Sequence, residues 1–335
     1  MKKTLLLTIT LLSVCTLFAQ NYQSLDLKNP IQFSGNKIIY NSETITLDEH
    51  NIFLAGNLSD EEIKGKSFVF NNFADAVAYF DTDTVEVLRA TPLQYTIYIA
   101  PFVYWIDNPD DPEIRKPNPD DTKKYGRARP YGMTIKTNNL HLRGLTENPE
   151  NIVLASNRGQ TQGAEGNFTM FHFLGDDLKV SNLTMGNYCN VDLEFPLKPE
   201  LNRTKRNNAI VQAQIAICEG DRIWAESVRF ISRLNLNPLS TQKRSFFHNC
   251  YFESTDDALA PTGVYLGCIF KFFSSKPFAQ TRGAGAVILD SDIYIVGKRK
   301  TQYMVKRNSP LALVDVRFHA DDDSVQIGWI QKTDI

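Results

Sequence analysis

Two adjacent aspartates, Asp256 and Asp257, are the residues of this sequence whose type and spacing are best suited to chemistry. Carboxyl groups act as nucleophiles and as proton carriers, and a nearby guanidinium such as that of Arg282 favours their ionised form. Neighbouring strand residues point to opposite faces, so only one of the two aspartates needs to face a groove. The alternatives are two solvated aspartates at a turn and a purely structural pair of Asp257 with Arg282.

Metal and cofactor sites are not indicated. The five histidines show no metal-binding spacing, and no two cysteines form a C-x-x-C pair. Residues 321–323 are three aspartates that could attract calcium, but a bare acidic turn is more often simply solvated. We therefore predict no metal and no cofactor. For the four later cysteines we favour buried free thiols, although the sequence leaves their pairing open: Cys189, Cys218, Cys250 and Cys268.

The elements that must position these residues are indicated by a repeated apolar pattern. Each copy has two alternating pairs of apolar residues separated by two positions, which predicts two short strands joined by a bend. Clear copies begin at Leu140, Leu178, Ile223, Phe247, Tyr265, Ala286 and Leu311. Later copies start roughly 18 to 25 residues apart, the length of one solenoid coil. The sequence therefore predicts an all-β fold, a right-handed parallel β-helix.

Three further features fit this fold. Gly144, Asn182 and Asn249 fall near the bends, where such residues tolerate tight turns, and Cys250 and Cys268 occupy the same pattern position, as stacked inward residues would. Residues 73–80 predict a short capping helix, with Asn71 or Asn72 as its N-cap, followed by a strand over residues 95–99. Residues 324–330 look like a last strand with no helical cap. Residues 109–130 and 196–208 are polar and predict surface loops that wall a groove.

Segments of the chain resemble, in order, the pectin methylesterase superfamily. The opening helix and strand, residues 73–77 and 95–104, resemble the start of that fold, although Phe102 stands where the family has the glycine of a Gly-Val-Tyr turn. Residues 137–144 and 175–185 resemble its next two coils, and the likeness extends from about residue 65 to about residue 330. The resemblance implies a β-helix that acts on methyl-esterified galacturonan, the acidic polysaccharide of pectin.

The resemblance also implies catalytic roles. Asp257, in a run similar to the family's Cys-Tyr-Ile-Glu-Gly-Thr segment, matches the aspartate that attacks the ester carbonyl. Arg282, after Ala279, Gln280 and Thr281, matches an arginine that holds this nucleophile. Gln212, nine residues before Asp221, matches a glutamine that donates to the oxyanion. Gln214 in the same strand is an alternative for this role. We assign Gln214 and Asp256 to substrate binding.

The catalytic set is incomplete. The family's second aspartate, the general acid, falls on Asn235, and the adjacent glutamine position is Leu234. An amide cannot carry a proton at neutral pH, so ester hydrolysis would need a different proton donor. The Arg-Pro-Trp signature has no match near Lys306, but Trp329 corresponds to a later Gly-Trp and is a candidate sugar-binding residue.

Composition and the first twenty residues indicate an exported single-domain protein. Lys2 and Lys3 precede an apolar run that ends near Ala19, which predicts a signal peptide over residues 1–20. A lipid anchor at Cys15 is disfavoured by Val14, which is larger than a lipobox accepts, and no later stretch is apolar enough to span a membrane. We predict a single domain over residues 21–335, with an extension over 21–65 and coils over 66–335. Its location would be the periplasm or the outside of the cell.

Three functions remain open at this point. Net charge is −2 and no basic run is present, so nucleic acid is not an expected partner; we expect a monomer that binds acidic polysaccharide. The first function is a pectinesterase-like carbohydrate esterase, impaired if Asn235 has removed the acid. The second is a glycan-binding β-helix without catalysis. The third is a pectin-degrading glycosidase or lyase, against which the absence of a second aspartate motif and of a Gly-His-Gly run argues.

Overall fold

The computed structural model describes residues 22–81, 93–110, 131–160, 168–206, 208, 211–307 and 309–331. The predicted signal peptide and most of the predicted 109–130 loop lie outside these residues. The described part is mostly β, with parallel strands and few helices, so this part of the fold prediction is confirmed. None of the described helices has the length and apolar character needed to cross a bilayer.

The chain opens with a small antiparallel sheet of β1 (Gln32–Ser34), β2 (Lys37–Tyr40) and β3 (Glu43–Thr46). Two helices follow, α1 (Asp60–Ile63) and α2 (Phe73–Phe80). Asn72 caps α2 by accepting a hydrogen bond from the Asp75 amide, as the sequence predicts. The helix buries one apolar face, including Phe73, whose ring lies 5.8 Å from that of Phe171. It therefore covers the interior of the first layers.

Most remaining strands are parallel and pair with strands one layer before and after them. In chain order they are β4 (Asn51–Leu54), β5 (Val69–Phe70), β6 (Tyr95–Ile99), β7 (Phe102–Trp105), β8 (Tyr131–Ile135), β9 (Leu140–Gly144), β10 (Ile152–Ser156), β11 (Phe168–Phe173), β12 (Lys179–Asn187), β13 (Ala213–Cys218), β14 (Ile223–Ile231), β15 (Ser245–His248), β16 (Tyr251–Asp256), β17 (Gly263–Leu266), β18 (Ile269–Lys276), β19 (Ala286–Ile295), β20 (Thr301–Val305), β21 (Leu311–Ala320) and β22 (Gln326–Ile330).

The parallel sheet begins earlier than predicted. Strand β4 lies in the predicted N-terminal extension, yet it pairs in parallel with β6. Its apolar run of Ile52, Phe53 and Leu54 is fully buried, which is why it forms part of the layered core rather than a surface extension. Short 3₁₀ turns at Pro149–Asn151 and Pro199–Leu201 interrupt the connections, and the second belongs to the predicted 196–208 loop.

The predicted apolar pattern corresponds residue by residue to the register of the large sheet. One inward column runs through successive layers as Leu142, Val180, Ala225, Phe247, Tyr265, Ile288 and Leu313. A second runs as Met185, Phe230, Phe252, Phe270, Ile293 and Phe318. The ring of Phe252 stacks at 5.3 Å on Phe230 and at 5.0 Å on Phe270. Full burial of such rings makes these columns the main source of hydrophobic stabilisation.

The bend within each layer is made by residues with left-handed backbone conformations. Asn182 and Asn249 have φ of 54° and 53°, as predicted, and Ser227, Asp290 and Asp315 follow at matching positions. Gly144 is needed for a different reason, because a Cβ atom there would lie 1.9 Å from the carbonyl oxygen of Asn182. The four described cysteines are buried and free, which confirms the favoured interpretation.

Candidate active site

Four of the chemistry-bearing residues occupy successive layers at one edge of the fold. The Ala213 amide, next to Gln212, donates to the Leu234 carbonyl at 3.3 Å, and the Asn235 amide donates to the Asp256 carbonyl at 3.0 Å. The Asp257 amide in turn donates to the Lys276 carbonyl at 3.1 Å. The parallel stacking therefore brings Gln212, Asn235 and Asp257 from three different coils to neighbouring positions, with Lys276 in the next layer.

A cleft of about 550 Å³ opens beside this edge. Its described lining includes Asp257 and Arg282, two of the predicted site residues, together with Asn237, Lys243 and Glu219. Asp256, Gln212, Gln214, Asn235 and Trp329 are not among the lining residues that the structure describes. Only one of the two adjacent aspartates therefore faces the cleft: Asp257 is part of its lining and Asp256 is not.

Asp256 is held by a buried lysine. The Nζ atom of Lys276 lies 2.8 Å from Oδ1 and 2.9 Å from Oδ2 of Asp256, and the lysine side chain is only 7% exposed. A shift in register between Ser254 and Asp256 brings the two residues opposite each other. A buried ammonium with this geometry has to be paired, so Lys276 and Asp256 fix one another.

The negative charge of Asp257 is balanced less completely by its neighbours than that of Asp256. Its Oδ1 atom is 3.7 Å from Nζ of Lys276, an ion-pair distance rather than a hydrogen bond, and it has no hydrogen-bond partner although it is enclosed. Burial raises the pKa of Asp257, and the neighbouring charge of Asp256 raises it further, whereas Lys276 and Lys306 act in the opposite direction. The residue has a left-handed backbone conformation, with φ of 45°, and its side chain belongs to the lining of the cleft.

Arg282 lies in the same cleft but does not hold the aspartate. Its side chain is exposed and forms no ion pair with a carboxylate of the described residues, and its backbone amide donates to the Pro261 carbonyl at 2.8 Å. The cation next to Asp257 is Lys276, which the sequence analysis did not identify. The signal that could have identified it is its position about one coil, twenty residues, after Asp256. Arg282 is instead free to contact a ligand.

The remaining predicted residues have distinct environments. Gln214 is buried and accepts a hydrogen bond from the Thr169 hydroxyl at 2.8 Å, which occupies its Oε1 atom. The Oε1 atom of Gln212 is enclosed without a hydrogen-bond partner. Asn235 has φ of 52°, close to the value for Asp257 in the next layer. Trp329 lies on β22 with 44% of its surface exposed, and its roles in binding stay a prediction.

Potential metal ligands do not coincide with the cleft. Asp48, Glu49 and His50 bring ligand atoms within 4.8 Å of one another, but they lie beside β4 in an early layer, and exposed acidic groups of this kind are common without an ion. In the lining of the cleft, Glu219 Oε1 accepts a hydrogen bond from Nε2 of the buried His172 at 2.9 Å.

Comparisons with known proteins place the chain beside one group of structures. No family model and no curated protein matches it. PemA, the pectin methylesterase of Erwinia chrysanthemi, has a TM-score of 0.42 and 20% identity, over 82% of this chain and 67% of its own. The Aspergillus niger pectin methylesterase has a TM-score of 0.46 and 12% identity, over 86% and 87%. A pectin methylesterase in complex with hexasaccharide VII has a TM-score of 0.43 and 18% identity, over 82% and 67%.

These values describe a likeness of fold and are too low to transfer an activity. The chain is structurally similar to pectin methylesterases over most of its length, while the residues of the site must carry any conclusion about function.

Proposed function

We propose that this chain is an exported right-handed parallel β-helix that hydrolyses methyl esters of galacturonan, with Asp257 as the reacting carboxyl group. The observation that carries the proposal is the environment of Asp257, a cleft-facing, half-buried carboxyl with an unsatisfied oxygen and a buried ammonium 3.7 Å away. The solenoid is supported by parallel pairing between strands one coil apart, since such crossovers are almost always right-handed.

Ester hydrolysis at this site requires a group that takes up a proton in the first step and gives it back in the second. Asp257 accepts a proton from a water molecule that attacks the ester carbonyl, and the same carboxyl then donates it to the departing methoxide. The products are a galacturonate carboxyl group and methanol. A carboxyl whose pKa is raised by burial suits both steps, because a proton carrier is most effective when its pKa approaches the working pH. One carboxyl can thereby replace the acid that Asn235 cannot supply.

The cleft also supports binding of an acidic sugar. Arg282 and Lys243 are exposed cations in its lining, placed where they can contact the carboxylates of neighbouring uronate residues. The oxyanion that forms at the ester carbonyl needs donors as well, and the described lining offers them on the side chains of Arg282, Gln242 and Gln280. These side chains support the proposed substrate class, a methyl-esterified and partly acidic polysaccharide.

Methanol release from methyl-esterified pectin tests the proposal. Asp257→Asn should abolish release, because the amide preserves shape and backbone preference but cannot carry the proton. Asp315→Asn is a matched control, since Asp315 also has positive φ, 53°, and is exposed on a distant strand. Wild-type activity in Asp257→Asn would refute the assignment of the reacting group.

A second candidate function is glycan binding without catalysis. It is favoured by the occupation of the family's acid position by Asn235 and of the adjacent glutamine position by Leu234. Retention of pectin by a wild-type protein that releases no methanol would support this function and exclude the esterase. New reducing ends or an unsaturated product would instead support the glycosidase or lyase. Export is tested by sequencing the N-terminus of the secreted protein, which should begin close to residue 21.

A further inference from the structure

An aromatic platform lies on the outer face of the large sheet, away from the lining of the cleft. Lys179, Trp224 and Phe246 are opposite one another on β12, β14 and β15, so their side chains form one outward column. Trp224 is 43% exposed, and its ring meets that of Phe246 edge to face at 5.3 Å. A tryptophan held open to solvent by neighbouring rings offers a flat apolar surface of fixed orientation.

Lys179 gives the platform a positive charge. Its Nζ atom lies 5.4 Å from the centre of the Trp224 ring, and it forms no ion pair with any carboxylate that the structure describes. On its other side in the column is His141, whose pKa is lowered to about 3 by burial and by the charges of Lys179 and Arg143. Lys179 is therefore the cation of the column at neutral pH.

The other cations that the structure describes around the platform, Arg222 and Arg244, are already compensated. Arg222 makes a bidentate contact to Asp177 with two distances of 2.5 Å, and Arg244 contacts both carboxylate oxygens of Asp221. These four residues form a neutral network along one side of the platform, and they leave Lys179 as the charge available to an incoming anion.

The platform and the cleft are built from the same stretch of chain. Residues 241–243 line the cleft, whereas residues 244–246 line the depression of about 460 Å³ that surrounds Trp224. On the preceding layer, Glu219 likewise lines the cleft and Arg222 lines the depression around Trp224. The two depressions therefore adjoin each other along this stretch of chain.

We propose that this surface is a second glycan-binding site, which takes a uronate residue of an acidic polysaccharide. The apolar face of the sugar ring stacks on Trp224, and its carboxylate pairs with Lys179. The identity of the sugar rests on the proposed function, because galacturonan is the substrate proposed for the cleft. Occupation of both sites by one chain raises the affinity for long polymers through effective concentration.

Affinity gel electrophoresis with fully de-esterified polygalacturonate measures this site without any need for catalysis. Trp224→Ala should weaken binding about tenfold, as expected for loss of a central aromatic anchor. Lys179→Gln should weaken it by a smaller factor and reduce its dependence on salt. Both variants should leave methanol release from a short methyl-esterified substrate unchanged, since neither Trp224 nor Lys179 lines the cleft.

Two matched controls separate the site from general surface effects. Lys271 lies 5.5 Å from the Phe273 ring, the same kind of contact as Lys179 makes, and Tyr294 is an aromatic residue 42% exposed on β19. Lys271→Gln and Tyr294→Ala should bind polygalacturonate like the wild type, and thermal unfolding checks that every variant is folded.

Wild-type binding by Trp224→Ala would overturn the proposal. Equal binding of a neutral galactan, with no effect of Lys179→Gln, would also overturn it, because the ligand would then not be a uronate. Absence of methanol release by the wild type, with binding still dependent on Trp224, would refute the esterase and leave this site standing.

Discussion

Replacement of Lys276 by methionine is the perturbation that most directly probes the candidate site. Methionine keeps the apolar stem of the side chain but removes the ammonium that lies 2.8 and 2.9 Å from the oxygens of Asp256. The lysine is 7% exposed and Asp256 is 26% exposed, so the carboxylate that remains is only partly reached by water. Lys276→Met therefore leaves a charge without its partner in a largely buried position.

The expected loss of stability can be worked out from this geometry. Removal of one partner of a buried ion pair costs about 3–5 kcal/mol. The residual exposure of Asp256 places the expected cost near the lower limit, about 3 kcal/mol, which for a domain of this size lowers Tm by about 5 °C. In Asp256→Asn/Lys276→Met the charge of Asp256 is removed together with that of its partner, so the double variant should be more stable than Lys276→Met alone.

Denaturant unfolding of the two single variants and the double variant measures this coupling. Additive losses in the double variant would refute the view that Lys276 and Asp256 compensate each other. The pH dependence of methanol release gives a second readout, because Lys276 lowers the pKa of Asp257. Its removal should move the acidic limb of the profile to higher pH. Lys306→Met should move the limb in the same direction with a smaller loss of stability, since Lys306 is only half-buried.

Two further predictions concern the same layers. The pKa of Asp257 is raised above its ordinary 3.8 in the folded protein, so its ionisation destabilises the fold as the pH rises. Asp257→Asn should thus be more stable than the wild type at pH 7, and this gain in Tm should vanish as the pH falls below 3.8. A gain in Tm that grows at low pH would contradict the explanation that the ionised carboxyl of Asp257 destabilises the fold. Asn235→Asp should raise methanol release by adding a second proton carrier, as a titrimetric assay can show. No increase in a folded variant would mean that a missing proton carrier at position 235 does not limit the activity.

The core of the fold could be predicted from the sequence because the positions of the inward columns require apolar side chains. Val180, Ala225 and Phe247 lie in one column and are enclosed on every side, so only apolar side chains are tolerated there and the pattern marks the inner face. The bend positions were readable for a similar reason, because a left-handed backbone favours asparagine, aspartate and glycine.

The partners within the site could not be obtained in this way. Regular counting from Ser254, which is opposite Phe272, places Ser274 opposite Asp256. The shift in register moves the partner by two residues and puts Lys276 there instead. This irregularity lies where the side chains are polar, so the spacing of apolar residues in the sequence does not reveal it. The family resemblance implied Arg282 as the cation beside Asp257, whereas the structure places Lys276 there.

The left-handed backbone also explains how the site can change while the fold is retained. Asn235 and Asp257 have φ of 52° and 45° in adjacent layers, a conformation that asparagine and aspartate both adopt more readily than other side chains with a Cβ atom. At such a position exchange of aspartate for asparagine removes a proton carrier but keeps shape and backbone preference. Selection for folding alone therefore cannot distinguish the two residues at position 235. Burial and the charge of Asp256 penalise an ionised group at position 257, a cost in stability that asparagine would avoid, and an ionisable side chain at such a position supports the proposed role of Asp257.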